Sequence, residues 1–338
     1  MATYTVGPTG DFTTLALAVT GSVNGDTITC NSDYVHPDTE TVINKDLTIT
    51  STDSDASSVI LMASATNTLK IQATVTVTHL TIICNKNTKR AFYAPNEHLV
   101  IEDCVVKAVF NCIIYWSALE LRRTKFLALP GNHTYSIYGS AGATLVADSC
   151  LFEGWMGYGL SLYGSVANVR NCTVIMDQTT SSSTSAGIYA PQAGTTVRNC
   201  TVFGRSDVPA TDGTDWGIWA KSAGTTVENC VSWNSATDYI FQTGATGANN
   251  YNTADVVADG NPVFVDFAAG DFHPDTSGLA YHNGDAASAP ATDIDNLPFD
   301  SPPSIGCYEG ASSGGGATYN STSASCAGFL TSPFTLTP

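Results

Sequence analysis

The chain has 338 residues and carries a formal net charge of −17, with 43% hydrophobic but only 13% charged residues. Such a surface repels nucleic-acid phosphates and anionic membranes, so neither is an expected partner. No apolar stretch reaches the ~20 residues needed to span a bilayer as a helix.

A short phrase recurs along the middle of the chain. In order it reads Val-Thr-His-Leu-Thr-Ile at 77–82, Ile-Glu-Asp-Cys-Val-Val at 101–106 and Leu-Arg-Arg-Thr-Lys-Phe at 121–126. It continues as Ala-Asp-Ser-Cys-Leu-Phe at 147–152, Val-Arg-Asn-Cys-Thr-Val at 169–174 and again at 197–202, and Val-Glu-Asn-Cys-Val at 227–231. The fourth position falls at Leu80, Cys104, Thr124, Cys150, Cys172, Cys200 and Cys230, which are 24, 20, 26, 22, 28 and 30 residues apart. A period of this size built from short β-type runs indicates a solenoid.

Val197 and Cys200 are three apart, and alternate residues of a straight strand share a face, so both point inward only if the chain bends between them. The residue before the Cys slot is Asp103, Ser149, Asn171, Asn199 or Asn229. Asn and Asp tolerate left-handed backbone and suit a tight corner. A second short strand precedes each copy: Ala91–Ala94, Ile113–Tyr115, Ser136–Gly139, Leu162–Gly164, Gly187–Ala190 and Gly217–Ala220. Ala-Gly-Thr-Thr at 193–196 and 223–226 supplies the turn between the two. Coils of this kind stack at ~4.8 Å.

The Asn-Cys-Thr-Val phrases resemble the internal files of like residues in the pectin-lyase-like superfamily. The resemblance spans residues 1–310 and implies an all-β fold, a right-handed parallel β-helix with a short N-terminal capping helix and an extended C-terminal tail. Residues 1–25 resemble that family's opening strand and helix, with Asp11 as the helix cap and Phe12, Leu15, Leu17 and Val19 over the open core. Segments 25–29 and 45–50 read as early coil strands. Segment 261–310 resembles a recurrent ending of bacterial β-helix proteins and is expected to form a C-terminal cap. The fold serves many roles and names none of them.

Residues 311–317 form a Gly/Ser linker. Residues 318–338 alternate like a strand and resemble the start of an immunoglobulin-like module. They are expected either to begin such a module or to complete a sheet on a partner subunit. The chain lacks a basic, apolar leader at Met1. A virion or extracellular-surface product made without a recognisable signal peptide is therefore expected, a leader replaced by Met1 being the other reading. Ten cysteines are present, and five occupy the repeat slot, where buried free thiols acting as small hydrophobes are expected. No Cys-x-x-Cys occurs and the six histidines are scattered, so no cofactor and no metal site is expected. Asn171 and Asn199 sit in glycosylation sequons, but the corner explains them better.

Candidate sites are few. If Phe92, Ile114, Ile137, Leu162, Ile188 and Ile218 point inward, then Tyr93, Tyr115, Tyr138, Tyr163, Tyr189 and Trp219 form an outward aromatic file. Its bland reading is ring-on-ring packing beneath a loop. Its functional reading is a platform for sugar rings, with Tyr138, Tyr163, Tyr189, Trp216 and Trp219 as glycan contacts. A file of Glu102, Arg122, Asp148, Arg170, Arg198 and Glu228 is expected to pair as Glu102–Arg122, Asp148–Arg170 and Arg198–Glu228 between coils. Asp207, Asp212 and Asp215, in the loop before Trp219, are weak calcium candidates. Asp215 and Asp238 are weak acid–base candidates. Asp238-Tyr-Ile-Phe faintly resembles the Asp-Phe-Ile-Phe of pectin methylesterases, whose other catalytic residues have no match here. The expected function is a non-catalytic virion or extracellular surface element, such as a decoration or fibre component, assembling through 318–338. The alternatives are a polysaccharide-active enzyme and a glycan-binding adhesin.

Overall fold

The structure is a computed structural model that describes residues 1–54, 56, 59–95, 97–130, 135–155, 157–176, 185–204, 215–242 and 244–310. Three parallel sheets of 11, 8 and 9 strands run the length of a β-solenoid. Each winding gives one strand to each sheet, as in Val166–Arg170, Thr173–Met176 and Ser185–Ala190. Like residues then fall into register: Val169 lies beside Val197, which lies beside Val227. The all-β parallel β-helix is therefore the fold, and the two α-helices among the described residues are seven residues each, Leu15–Gly21 and Thr253–Asp259.

The corner explains the broken alternation. Asp103, Ser149, Asn171, Asn199 and Asn229 are all left-handed, and so are His79, Arg123 and Asn249 at the same place in their coils, with φ between 46° and 56°. Behind each corner the slot residues Leu80 to Cys230 are buried in one continuous core. Each slot thiol donates to the carbonyl two residues back, from Cys104 to Glu102 at 3.2 Å through Cys230 to Glu228 at 3.3 Å. Thr124 makes the same bond through its hydroxyl, to Arg122 at 2.9 Å, so it fills the slot without an unpaired polar atom. All nine described cysteines are free and buried. Desolvation by burial pushes the Cys104 thiol pKa up to about 12.

At the N-terminus two expectations need correction. Thr14, not Asp11, caps the first helix, accepting from the Leu17 amide at 3.3 Å. Asp11 instead accepts from the Thr5 amide at 2.8 Å and pins the preceding loop. Leu15, Ala18 and Val19 form the buried stripe, whereas Leu17 is 52% exposed, because a helix puts i, i+3 and i+4 on one side.

Segment 261–310, expected as a cap, lies along the flank as a strap on the outside of the 8-stranded sheet. Leu151, Ile175, Phe203 and Val231 of that sheet bury themselves against Val263, Phe264, Phe272, Ile294, Ile305 and Tyr308. The corner residues also hold it. Asn171 Nδ2 donates to Ser304 O at 3.0 Å, and Asn199 exchanges bonds of 3.0 and 2.8 Å with the Asp285 backbone.

Candidate functional site

The aromatic residues gather on the outside of the 9-stranded sheet, but in a pattern that strict alternation misses. In this sheet two consecutive residues point inward: Cys112 and Ile113, Ser136 and Ile137, Gly159 and Leu160, Gly187 and Ile188, Gly217 and Ile218. A Cβ at Gly187 would come within 2.3 Å of the Val202 side chain, which shows that this slot faces the core. The doubled inward pair leaves residues three apart outside, such as Tyr135 with Tyr138 and Trp216 with Trp219.

Tyr138, Tyr189 and Trp219 lie outward as expected. Tyr115 does not. Ile113 takes the inward slot beside Phe92 and Ile137, so Ile114 stands in line with Tyr93 and Tyr138. Tyr115 turns in beside Gly139, is fully buried and donates to Ser165 Oγ at 3.1 Å. Tyr163 also leaves the file, because Leu160 and Ser161 align with Ile188 and Tyr189. It stays 54% exposed in the following turn and stacks on Tyr138 at 6.1 Å.

Two rings missed by the sequence reading, Tyr135 and Tyr158, complete the array. The rings run Tyr163, Tyr138, Tyr135, Tyr158, Tyr189, Trp219, Trp216, with successive centroids 4.1 to 6.1 Å apart. The run crosses four successive strands, roughly 14 Å at ~4.8 Å per coil step. Tyr189 is only 7% exposed, so it supports its neighbours more than it offers a free face. The Trp219 Nε1 donor is buried and has no partner among the described residues. Lys221 Nζ stands 5.4 Å from the Trp219 ring centroid.

The weak acidic candidates do not form a pair. Asp215 is not in a loop but opens strand Asp215–Ala220, where it is 8% exposed and accepts from Ser185 Oγ. Asp238 follows Gly217 in the inward slot and accepts from the Thr253 amide at 2.8 Å, at the start of the second helix. Burial raises its pKa, and its Oδ1 has no hydrogen-bond partner among the described residues. Both carboxylates are thus held by structural bonds. Asp207 and Asp212 lie outside the described residues, as does the 318–338 segment.

The charge file pairs as expected: Arg122–Glu102 at 3.8 Å, Arg170–Asp148 at 2.6 Å and Arg198–Glu228 at 2.8 Å. Exposed pairs of this kind contribute ~0.2–1 kcal/mol each. Arg122, Arg123 and Arg170 also line a cleft of about 320 Å³ against strap residues 289–292. Glu102, Asp103, Glu120 and Asp148 pair with those three guanidiniums, so the cleft has no surplus positive charge for an anion.

Among solved structures the chain is similar to the pectin methylesterase of Aspergillus niger in deglycosylated form, with a TM-score of 0.45, 14% identity, and 74% of this chain and 87% of that one covered. The same enzyme in its penultimately deglycosylated form gives 0.43 and 12%, with the same coverage. No protein-family model and no curated protein matches the sequence.

Proposed function

We propose that this protein is a polysaccharide-directed β-helix that holds a glycan along its aromatic run. The supporting observation is the unbroken series of seven rings from Tyr163 to Trp216 on one outer sheet face. Sugar rings present flat C–H faces and polar edges. Such rings pack on Tyr and Trp, whose faces are apolar while their O–H and N–H stay available for hydrogen bonds. An aromatic surface of this extent exceeds scattered surface apolarity.

The reading favours binding over chemistry, since Asp215 and Asp238 form no pair and each accepts a structural hydrogen bond, from Ser185 Oγ and the Thr253 amide. Turnover is the second reading, and the same experiment separates the two. Soluble neutral and acidic polysaccharides are titrated into the purified protein, and products are assayed by chromatography. Binding that weakens about tenfold in Trp216→Ala and again in Tyr138→Ala, equivalent to ~1.4 kcal/mol each, with unchanged melting, supports the reading. Product formation converts it to the enzymatic form. Absence of binding to any polysaccharide, or binding indifferent to both substitutions, removes it.

A further inference from the structure

Away from the 9-stranded sheet that carries the aromatic run, the strap brings together three of its own side chains, His282, Asp300 and Glu309. His282 Nε2 lies 3.0 Å from Asp300 Oδ2 and 3.3 Å from Glu309 Oε1, and all three atoms fall within 4.8 Å of one another. We infer that His282, Asp300 and Glu309 form a binding site for a divalent transition-metal ion, Zn²⁺ foremost, that staples the strap.

The geometry carries the inference. Zinc binds His nitrogen and carboxylate oxygen at ~2.0–2.2 Å, and ligands at tetrahedral angles around such an ion lie roughly 3.3–3.5 Å apart. Both distances from the imidazole nitrogen are close to that spacing. Calcium prefers six to eight oxygen ligands at ~2.3–2.6 Å and suits a nitrogen-bearing, three-residue set poorly.

The surroundings fix each ligand. The Glu309 side chain is only 8% exposed, and its two oxygens accept from the Ser304 amide at 2.9 Å and the Ser304 hydroxyl at 2.8 Å. Among the described residues no Lys or Arg pairs with this buried carboxylate; its salt-bridge partner is His282. A neutral imidazole does not balance two carboxylates, and a metal ion bound by all three would compensate Glu309 and Asp300 at once. The His282 ring is clamped by Tyr281, with centroids 3.7 Å apart and planes 20° off parallel. Hydrogen bonds and packing that orient ligands in advance are the usual support of metal sites. Asp300, 64% exposed, leaves the remaining coordination position open to water.

The test uses the full chain stripped with chelator and titrated with Zn²⁺ alone by calorimetry, with melting followed in parallel. His282→Asn keeps a residue that accepts the left-handed backbone found there, φ 52°, while removing the imidazole. Asp300→Asn alters an exposed group and leaves the fold intact. One equivalent of Zn²⁺ that raises the melting temperature, with affinity at least thirtyfold weaker in each variant, supports the site. His79→Asn, which removes another left-handed histidine beside a carboxylate, leaves the wild-type titration unchanged. No Zn²⁺ binding, or binding equal in wild type and both site variants, overturns the inference.

Discussion

At the scale of single residues, the corners set the fold. Asn199 is fully buried, sits at φ 51°, accepts the Asp285 amide and donates to both the Asp285 carbonyl and Asn171 Oδ1. Asn199→Ala loses those bonds and places an unfavourable side chain in left-handed backbone, ~1–2 kcal/mol for the strain and ~1–3 kcal/mol for the stranded polar groups. Asn199→Gly removes the strain but not the lost bonds. Denaturant unfolding should therefore rank wild type above Gly and Gly above Ala, and equal stability of the two variants would refute this account of the corner. Asn at these corners was legible in the sequence because its left-handed preference is local chemistry. Arg123 and His79 at equivalent corners were not legible, because there the stacked coils impose the backbone on residues with no such preference.

At the scale of elements, the doubled inward pair decides which side each aromatic takes. A period of two counts Ile114 as inward; the actual pair, Cys112 and Ile113, moves the count by one and buries Tyr115. Gly187 and Gly217, at the first inward slot, were the available signal, since only a small residue fits against Val202 and Ser232 there. The strap is an element with its own electrostatics. His273 lies 2.6 Å from Asp271 and 3.2 Å from Asp295, with its ring against Tyr308 at 4.3 Å. Burial by itself would lower the pKa of His273, but its hydrogen bonds to Asp295 and Asp271, with their charges, outweigh that and raise it. A raised folded value means that the contact contributes fully below the unfolded imidazole value, ~6.5, and is lost as pH rises through the folded one. Strap protection in hydrogen exchange should accordingly decline, after correction for intrinsic rates, as pH rises from ~6.5 through the raised folded value. His273→Gln should flatten that decline, and a wild-type-like slope in the variant would assign it to another group.

At the scale of the molecule, the solenoid was legible because its repeats state the same local rule many times. The strap was not, because its apolar residues follow no period and meet partners far away in the chain. Ser149 bonds Thr292 across 143 residues, and Cys307 bonds Thr173 across 134. Phe272, 5% exposed, is part of the apolar seam between strap and sheet. Phe272→Ala should cost ~3–5 kcal/mol locally. Because a solenoid's coils contact only their neighbours, that loss should loosen the flank while the distant N-terminal coils stay protected. Exchange measured segment by segment checks this: uniform loss of protection along all coils would show that strap and solenoid unfold as one unit.

The net charge of −17 acts at the same scale and bears on the glycan itself. A body this acidic repels polyanions over distances set by the Debye length, ~8 Å at physiological salt and ~30 Å at 0.01 M. Ring stacking on the Tyr163–Trp216 run is short-ranged and nearly indifferent to salt. A neutral polysaccharide held by that run should bind equally at about 0.01 and 0.3 M salt, whereas an acidic one should bind more tightly as salt rises and repulsion is screened. Titrating both polymers across that range separates the two forces. An acidic polymer that instead weakens with salt would require a local cluster of unpaired cations, and Arg122, Arg123 and Arg170 are already matched by carboxylates.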